Sequence, residues 1–284
     1  MGDAESGGFV PPGFAKTTIQ TRQDQSQVSE MLASVEINCR RITRQDNVSF
    51  LRIGPERDGQ FIICGNGPSL RDTVDRIKAL DRPENRIVAM NGAGSFLYDN
   101  GINVWATVAW ETATTAICKV TELRLPMKYL IASRAHPDWC AHLHDREIIL
   151  WHCLDDVGER EIIDRFDESP VMVAGGTSHA LRSIEIGRAM GFRKFQMFGC
   201  DGNYRDGVSH SNGHFQQPSQ HFKAFAGGQV FETCHGWAQQ AIDTVEQYRA
   251  YKRIEARDGT PFHLVIHGDG LIQAFAREHG IPTI

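Results

Sequence analysis

The feature that most constrains the fold of this chain is a short apolar run that leads into a glycine-rich turn and then into a helical pattern. Residues 61–64 are the run Phe-Ile-Ile-Cys, and Gly-Asn-Gly-Pro-Ser-Leu follows at 65–70. Apolar residues then recur at helical spacing as far as residue 80. A short apolar run is typical of a strand that is buried on both faces of a parallel sheet. Strand, turn and helix in this order indicate a βαβ unit.

The same unit recurs along the chain. Further strands are predicted at 86–90, 104–109, 128–132, 147–151, 171–174, 194–198 and 263–266. Helices are predicted at 28–42, 70–80, 95–99, 178–190 and 236–251, with a last helix that ends at 279 and a polar loop at 202–228. Strands that alternate with helices predict an α/β, Rossmann-like fold with a mostly parallel, doubly wound sheet and helices on both faces.

The domain organisation follows from the distribution of apolar residues. Residues 1–28 hold few large apolar groups, and such a segment buries too little surface to offset the entropy lost when it becomes ordered. No strong linker signal interrupts the rest of the chain. We therefore expect a flexible N-terminal arm at 1–28 and a single Rossmann-like domain at 29–284.

Charge and composition exclude several classes of protein. The 284 residues include 30 Lys and Arg and 35 Asp and Glu, so the net charge is −5 with neutral His. Duplex nucleic acid is normally bound by a strongly basic face, so no such partner is expected. No stretch approaches the roughly 18 apolar residues that span a bilayer, and the acidic, glycine-rich start is unlike a secretory signal. The seven Cys residues are scattered without a Cys-x-x-Cys motif, which favours a reduced, cytoplasmic protein.

The turn at 65–70 has the chemistry of an anion site. Gly65 and Gly67 let a ligand approach the backbone closely, and Ser69 places a hydroxyl near the start of the predicted helix. Free N–H groups at a helix start, together with its dipole, favour phosphate. The turn matches neither the GxGxxG nor the GxxxxGK[ST] pattern. A tight structural turn is the alternative interpretation, and Asn66 lies within it.

Two further candidates follow the next strands at the same predicted edge of the sheet. Asn91 and Gly92 end the second strand, where an Asn amide can bind ribose, base or phosphate, and a plain Asn-Gly turn is the alternative. Glu111 follows the third strand and can bind a metal ion or a hydroxyl, or lie in solvent at a helix start.

The turn before the helix predicted at 178–190 is a second candidate anion site, because it too is a glycine-rich turn that leads into a helix. Its sequence is Gly-Gly-Thr-Ser at 175–178. A Ser or Thr here is also a normal N-cap, and we expect both roles because a cap leaves other N–H groups free. The residues concerned are Gly176, Thr177 and Ser178.

The loop after the strand at 194–198 has the densest set of reactive side chains. Asp201, Tyr204, His210 and His214 fall within fourteen residues. One interpretation is a histidine general base with a neighbouring carboxylate. Another is a zinc pair, because His-x₃-His is a ligand spacing on helices, although Asn and Gly between the two disfavour a helix. A polar solvent loop is the third interpretation.

These motifs together resemble one superfamily. The resemblance is carried by three segments: a strand that ends in GNGPSL, a second strand that ends in Asn91, and the sequence GGTSHALRSIEIGRAMGFRKFQMFGCDGNYRDGVSH at 175–210. The superfamily includes archaeal 6-hydroxymethylpterin diphosphokinases (MptE-like proteins), flagellin-glycosylating motility accessory factors and, more distantly, Campylobacter-type bacterial sialyltransferases. The resemblance covers about residues 60–214 and implies a Rossmann-like fold that binds a nucleotide in the cleft at the strand ends.

The resemblance also implies which residues contact the nucleotide. In the sialyltransferases the GNGPSL loop faces the donor nucleotide and its phosphate, and the asparagine after the second strand contacts the donor. The turn before the long helix holds the nucleotide, although the sialyltransferases have Thr-Ser-Gly there and this chain has Gly-Thr-Ser. The corresponding residues are Gly65, Asn66, Gly67, Ser69, Asn91, Gly176, Thr177 and Ser178.

For catalysis, the resemblance implies a histidine base from a late Ser-His segment. His210 matches this segment best and His214 second. The sialyltransferases use two tyrosines to help the phosphate leave, and this chain offers only Tyr204. The Gly-x-Asp at 199–201 looks more like the diphosphokinase and flagellin-glycosylation branch, in which Glu111 lies near an acidic position.

Three functions follow as hypotheses. The first is a glycosyltransferase that moves a sugar from a nucleotide-activated donor to a small-molecule or glycan acceptor, with a His base and no cofactor. The second is a diphosphokinase that transfers pyrophosphate from ATP to a pterin-like alcohol and needs Mg²⁺, with Asp201 and Glu111 as candidate ligands. The third is a nucleotide-binding module without catalysis. The sequence assigns no oligomeric state.

Overall fold

A computed structural model describes residues 25–90, 92–110, 112, 126–154, 158–211 and 221–284. Eleven strands occur in these ranges. They are β1 (Val48–Phe50), β2 (Gln60–Cys64), β3 (Arg86–Met90), β4 (Ala106–Ala109), β5 (Lys128–Ala132), β6 (Ile148–Cys153), β7 (Met172–Val173), β8 (Lys194–Phe198), β9 (Phe222–Ala226), β10 (Gln229–Thr233) and β11 (His263–Ile266).

Nine of these strands form one sheet in which every described pairing is parallel. The strand order is β1-β6-β5-β4-β3-β2-β8-β11, and β7 pairs with β6. The chain runs outward from β2 to β6 on one side and returns to place β8 on the other side of β2. The order therefore reverses between β2 and β8, which is the topological switch point of a doubly wound sheet.

Helices pack around this sheet. Within the described ranges they are α1 (Gln25–Arg40), α2 (Val74–Leu80), α3 (Ala93–Asp99), α4 (Asp138–His142), α5 (Glu159–Ile163), α6 (His179–Ala189), α7 (His235–Asp258) and α8 (Leu271–Glu278). The predicted α/β, doubly wound class is confirmed. No helix in these ranges is long and apolar enough to cross a membrane.

The core lies where the middle strands meet α6. Residues 61–64 are fully buried, as the apolar run predicts for a central strand. On α6, a Cβ at Gly187 would lie 2.8 Å from the rings of Phe61 and Phe195, so glycine allows the helix to approach the sheet. Gly191 ends the helix with φ of 97°, as its position after the apolar stripe predicts.

The largest difference from the sequence prediction is in the loop expected at 202–228. Its last part forms an antiparallel hairpin, β9 paired with β10, around Gly227 and Gly228. Both glycines have positive φ, 57° and 74°, which suits a tight two-residue hairpin turn. The loop prediction was therefore wrong after residue 221, and the Gly-Gly pair between alternating strands was the signal that indicates a hairpin.

Other differences concern the ends of elements. The strand β1 and the short helices α4 and α5 were not predicted. Helix α7 extends to Asp258, beyond the predicted 251, and Gly259 ends it with φ of 76°. Helix α1 begins at Gln25, so residues 25–28 of the predicted arm are helical, and residues 1–24 lie outside the described ranges.

Candidate functional site

A cleft lies at the switch point, outside the carboxyl ends of β2 and β8. The two strands pair from Gln60–Lys194 to Cys64–Phe198, so the turns that follow them leave the sheet side by side. The cleft holds about 800 Å³ of empty space, part of it open to solvent, and both turns line it. This is the position of ligand sites in doubly wound folds.

The two turns are joined by backbone hydrogen bonds. Gly65 N donates to Phe198 O at 2.8 Å, and Gly67 N donates to Gly199 O at 2.8 Å. A Cβ at Gly65 would lie 2.4 Å from Gly199 O, and one at Gly67 would lie 2.3 Å from Asp201 Oδ2. Both glycines are therefore required by the close approach of the neighbouring turn.

This arrangement changes the expected role of the GNGPSL amides. The N–H of Gly65 already donates to the last residue of β8, that of Gly67 donates to the turn after β8, and Ser69 N donates to Asp201 Oδ2 at 2.8 Å. A phosphate bound by these three amides would have to displace protein acceptors. The turn lines the cleft as predicted, but in this structure its amides hold the neighbouring loop.

Asp201 is the buried acid of the cleft. Its side chain is 3% exposed, and Oδ2 accepts the hydrogen bond from Ser69 N. Its Oδ1 is also buried and has no hydrogen-bond partner among the described residues. Burial raises the pKa of Asp201 above its ordinary value, and the contacts with Ser69 oppose that rise only in part. The site thus contains a buried carboxyl group with one oxygen that makes no hydrogen bond among the described residues.

His210 lines the same cleft and is held by the residues on either side of it. Ser209 Oγ lies 2.7 Å from His210 Nδ1, within hydrogen-bond distance. On the other side, Ser211 N donates to Asn66 O at 2.8 Å and Ser211 Oγ donates to Asn66 Oδ1 at 2.6 Å. The structure therefore brings the predicted base next to the GNGPSL turn.

The loop that carries His210 is fastened to the rest of the fold at several points. Arg205 forms ion pairs with Asp72 and Asp269, and Arg71 Nε donates to Ser211 O. Asn203 Oδ1 accepts from Leu271 N at 2.9 Å, at the first residue of α8. These contacts connect distant parts of the sequence, so spacing along the chain does not predict them.

The turn before α6 also reaches the cleft, through Thr177 and Ser178. Ser178 Oγ accepts from Leu181 N at 3.2 Å, which confirms the predicted N-cap. Thr177 Oγ1 donates to Asp243 Oδ2 at 2.9 Å, and a Cβ at Gly176 would lie 2.8 Å from the same oxygen. Gly176 therefore has a packing role here, and the contribution of Asp243 was not predicted.

One face of helix α7 forms another wall of the cleft. Trp237, Gln240 and Thr244 line it, and they lie at positions i, i+3 and i+7, which share one side of a helix. No sequence motif singles out these residues. Their spacing predicts that they share one face of a helix, but it does not predict that this face lines the cleft.

Tyr204 lies outside the cleft lining. It is buried and stacks on His221 at 4.6 Å between ring centroids, and it contacts Trp237 at 4.8 Å. Burial raises the pKa of its hydroxyl to about 12. Its predicted contact with a leaving phosphate has no support in this arrangement, because the ring packs against the hairpin and α7 instead.

The remaining predicted site residues either do not line the cleft or lie outside the described residues. Gly92 precedes α3 and is not among the residues that line the cleft. Asn91, Glu111 and His214 lie outside the described residues, and with them one member of the zinc pair and the second acidic ligand. Among the residues that are described, no group of three or more His, Cys, Asp or Glu side chains is placed to hold a metal ion.

The fold and part of the sequence are similar to known proteins. In one solved structure, the MAf glycosyltransferase from Magnetospirillum magneticum AMB-1, the similar region covers 86% of this chain at 15% identity with a TM-score of 0.63. This region is 37% of the length of that protein, and at this identity the likeness concerns the fold. No curated protein matches the chain. The family model for 6-hydroxymethylpterin diphosphokinase MptE-like proteins matches residues 36–207, more than half of the chain. The chain therefore belongs to the MptE-like family.

Proposed function

We propose that the chain is a nucleotide-dependent transferase, and specifically a glycosyltransferase that uses a nucleotide-activated sugar bound in the cleft. One observation carries the proposal. The histidine loop and the GNGPSL turn, far apart in the sequence, are joined through Ser211 and Asn66 at the switch point of the sheet. A base and a ligand-facing turn are thus adjacent where doubly wound folds bind nucleotides.

In this proposal His210 is the general base. When Nδ1 carries the ring hydrogen and donates to Ser209 Oγ, Nε2 has the lone pair that removes the proton from an acceptor hydroxyl. The acceptor oxygen forms a bond to the anomeric carbon of the donor sugar. The bond from that carbon to the phosphate oxygen breaks, and the nucleotide leaves with the electron pair.

Asp201 and the start of α6 contribute electrostatically. The first turn of α6 presents N–H groups and the positive end of the helix dipole beside Ser178. Burial raises the pKa of Asp201, and an anionic ligand beside it raises that pKa further. In its protonated form Asp201 donates a hydrogen bond from Oδ1. No metal ion or organic cofactor is required in this scheme.

A second candidate is transfer of pyrophosphate from ATP to a pterin-like alcohol, and membership of the MptE-like family favours it. Such a reaction uses Mg²⁺ to neutralise phosphate charge. The described cleft supplies one carboxyl group for a metal ion, that of Asp201. Glu111, the other predicted ligand, lies outside the described residues. A nucleotide-binding module without catalysis remains the third candidate.

A thermal-shift and calorimetric screen with CMP, CDP, UDP, GDP and ATP, each with and without Mg²⁺, tests the proposal. A ligand that binds only the native state raises its stability. We expect stabilisation by a nucleotide without Mg²⁺, and consumption of the matching nucleotide-sugar that EDTA does not abolish. Stabilisation by ATP alone, together with a strict Mg²⁺ requirement, favours the diphosphokinase. No response to any nucleotide contradicts all three candidates.

A further inference from the structure

We infer that Trp237 and Gln240 form the nucleobase subsite of the cleft, with Trp237 as the stacking surface and Gln240 as the group that reads the edge of the base. This inference rests on the proposed function, because it assigns one end of the nucleotide to the α7 wall. Both side chains are half-buried and line the cleft from one face of α7.

Other aromatic rings pack beside Trp237. It contacts Tyr204 at 4.8 Å between centroids, and Tyr204 stacks on His221 at 4.6 Å with only 14° between the ring planes. Because the indole is already ordered by packing against these rings, it loses little conformational entropy when a flat ligand stacks on it. Base–aromatic stacking needs no particular sequence of donors and acceptors, because every base has a π-face.

Gln240 lies one helical turn further along α7. Its side-chain amide has no hydrogen-bond partner among the described residues, whereas the neighbouring Gln239 donates to Asp243 Oδ1 at 2.8 Å. A Gln amide offers both a donor and an acceptor. This is the pattern that the edge of a planar heterocyclic base requires, and it lies beside the aromatic surface.

Helix α7 also contacts the turn that is proposed to bind the phosphate of the nucleotide. Asp243, one turn beyond Gln240, accepts from Thr177 Oγ1 at 2.9 Å and so holds the turn that begins α6. The base surface and the helix start proposed for the phosphate are therefore within about two turns of each other along α7. That separation suits a nucleoside between them.

The charge of the cleft strengthens the assignment. Among the described residues that line it, none is Lys or Arg, and Asp201 is the one carboxylic acid. Backbone N–H groups would therefore bind the phosphate without help from a Lys or Arg side chain in the described lining. Contacts with the base are therefore expected to supply a large part of the affinity.

Calorimetry with CMP, UMP, AMP, GMP and ribose 5-phosphate as probes tests the inference. Trp237→Ala should lower the affinity for the nucleotide that wild type binds best by roughly 5- to 100-fold, from the range measured for base stacking. Trp237→Phe should restore part of this affinity. Binding of ribose 5-phosphate should be unchanged. Ile242→Ala, an exposed position on the same helix, is the matched control and should bind like wild type.

Two results would overturn the subsite. One is a folded Trp237→Ala protein that binds the preferred nucleotide like wild type, and the other is an equal loss for the nucleotide and for ribose 5-phosphate. If Trp237→Ala does not fold, Gln240→Leu carries the test, and unchanged relative affinities for the four nucleotides contradict the inference. Failure of wild type to bind any nucleotide contradicts the proposed function itself, which separates the two outcomes.

Discussion

Ser211 donates its hydroxyl hydrogen to Asn66 Oδ1 at 2.6 Å, across 145 positions of sequence. The backbone N–H of Ser211 also donates to Asn66 O at 2.8 Å. The residue next to Ser211 is the proposed base, and Asn66 is the second residue of the turn after β2. This pair therefore contributes to the position of His210 relative to the wall of the cleft.

The first prediction concerns the energy of this pair. Ser211→Ala and Asn66→Ala should each destabilise the protein by about 0.5–1.5 kcal/mol, the usual net value of a hydrogen bond. The double variant should lose less than the sum of the two, because both changes remove the same bond. Urea unfolding of the four proteins measures this coupling, and strictly additive losses would show that the side-chain bond contributes nothing.

The second prediction concerns the contact between the two turns. Gly67→Ala would place a Cβ 2.3 Å from Asp201 Oδ2 and 2.7 Å from Gly199 O. Overpacking of this kind typically costs 1–3 kcal/mol, so we expect a lower melting temperature and weaker nucleotide binding. Gly236→Ala is the matched control, because a Cβ there meets nothing within 4 Å. Equal melting temperatures for the two variants would be inconsistent with the close approach described above.

The third prediction concerns catalysis by His210. His210→Ala should lower kcat by about 10²- to 10⁴-fold, the usual contribution of a general base, with little change in nucleotide affinity. His263→Ala is the control, because His263 is exposed on β11. Steady-state rates and calorimetry measure the two effects. A His210→Ala enzyme with full activity would remove the base assignment.

The fourth prediction concerns the pH dependence of stability. Glu185 lies on α6, and burial raises the pKa of its carboxyl to about 7, while Arg188 and Gln247 oppose that shift. In the unfolded chain a Glu ionises near pH 4.3. Between these values the native state binds more protons than the unfolded state, so its stability falls as pH rises.

Glu185→Gln should remove this dependence. Relative to the variant, the wild type should lose roughly 1–3 kcal/mol of unfolding free energy between pH 4 and pH 8. Chemical denaturation at a series of pH values measures the difference. The reverse sign, with wild type gaining stability relative to the variant as pH rises, would mean that the carboxyl is ionised and paired in the native state.

Much of the fold was predictable from local patterns. The apolar run at 61–64, the N-cap at Ser178 and the helix end at Gly191 each depend on a few neighbouring residues, and the structure confirms all three. The hairpin β9–β10 was missed, although its Gly-Gly turn is also a local signal. The polar composition of this segment favours a loop, whereas the alternation of the residues beside the turn indicates strands.

The site was less predictable than the fold. Placement of the GNGPSL turn and His210 at one edge follows from the rule that parallel strands end together, and it is confirmed for these two segments. The α7 wall with Trp237 and the contact of Asp243 with Thr177 were not predicted. Both depend on how a helix near the end of the chain packs against the rest, and no local pattern encodes that.

By itself, the sequence determined the alternation of strands and helices, the positions of the glycine turns and the candidate base, because backbone propensity and hydrophobic periodicity are local properties. The tertiary structure alone decided what the turn amides bind. Because β8 lies beside β2, the N–H of Gly65 donates to the end of β8, and those of Gly67 and Ser69 donate to the loop after it. A buried donor takes the nearest well-oriented acceptor, and only the packing of the chain shows which acceptor that is.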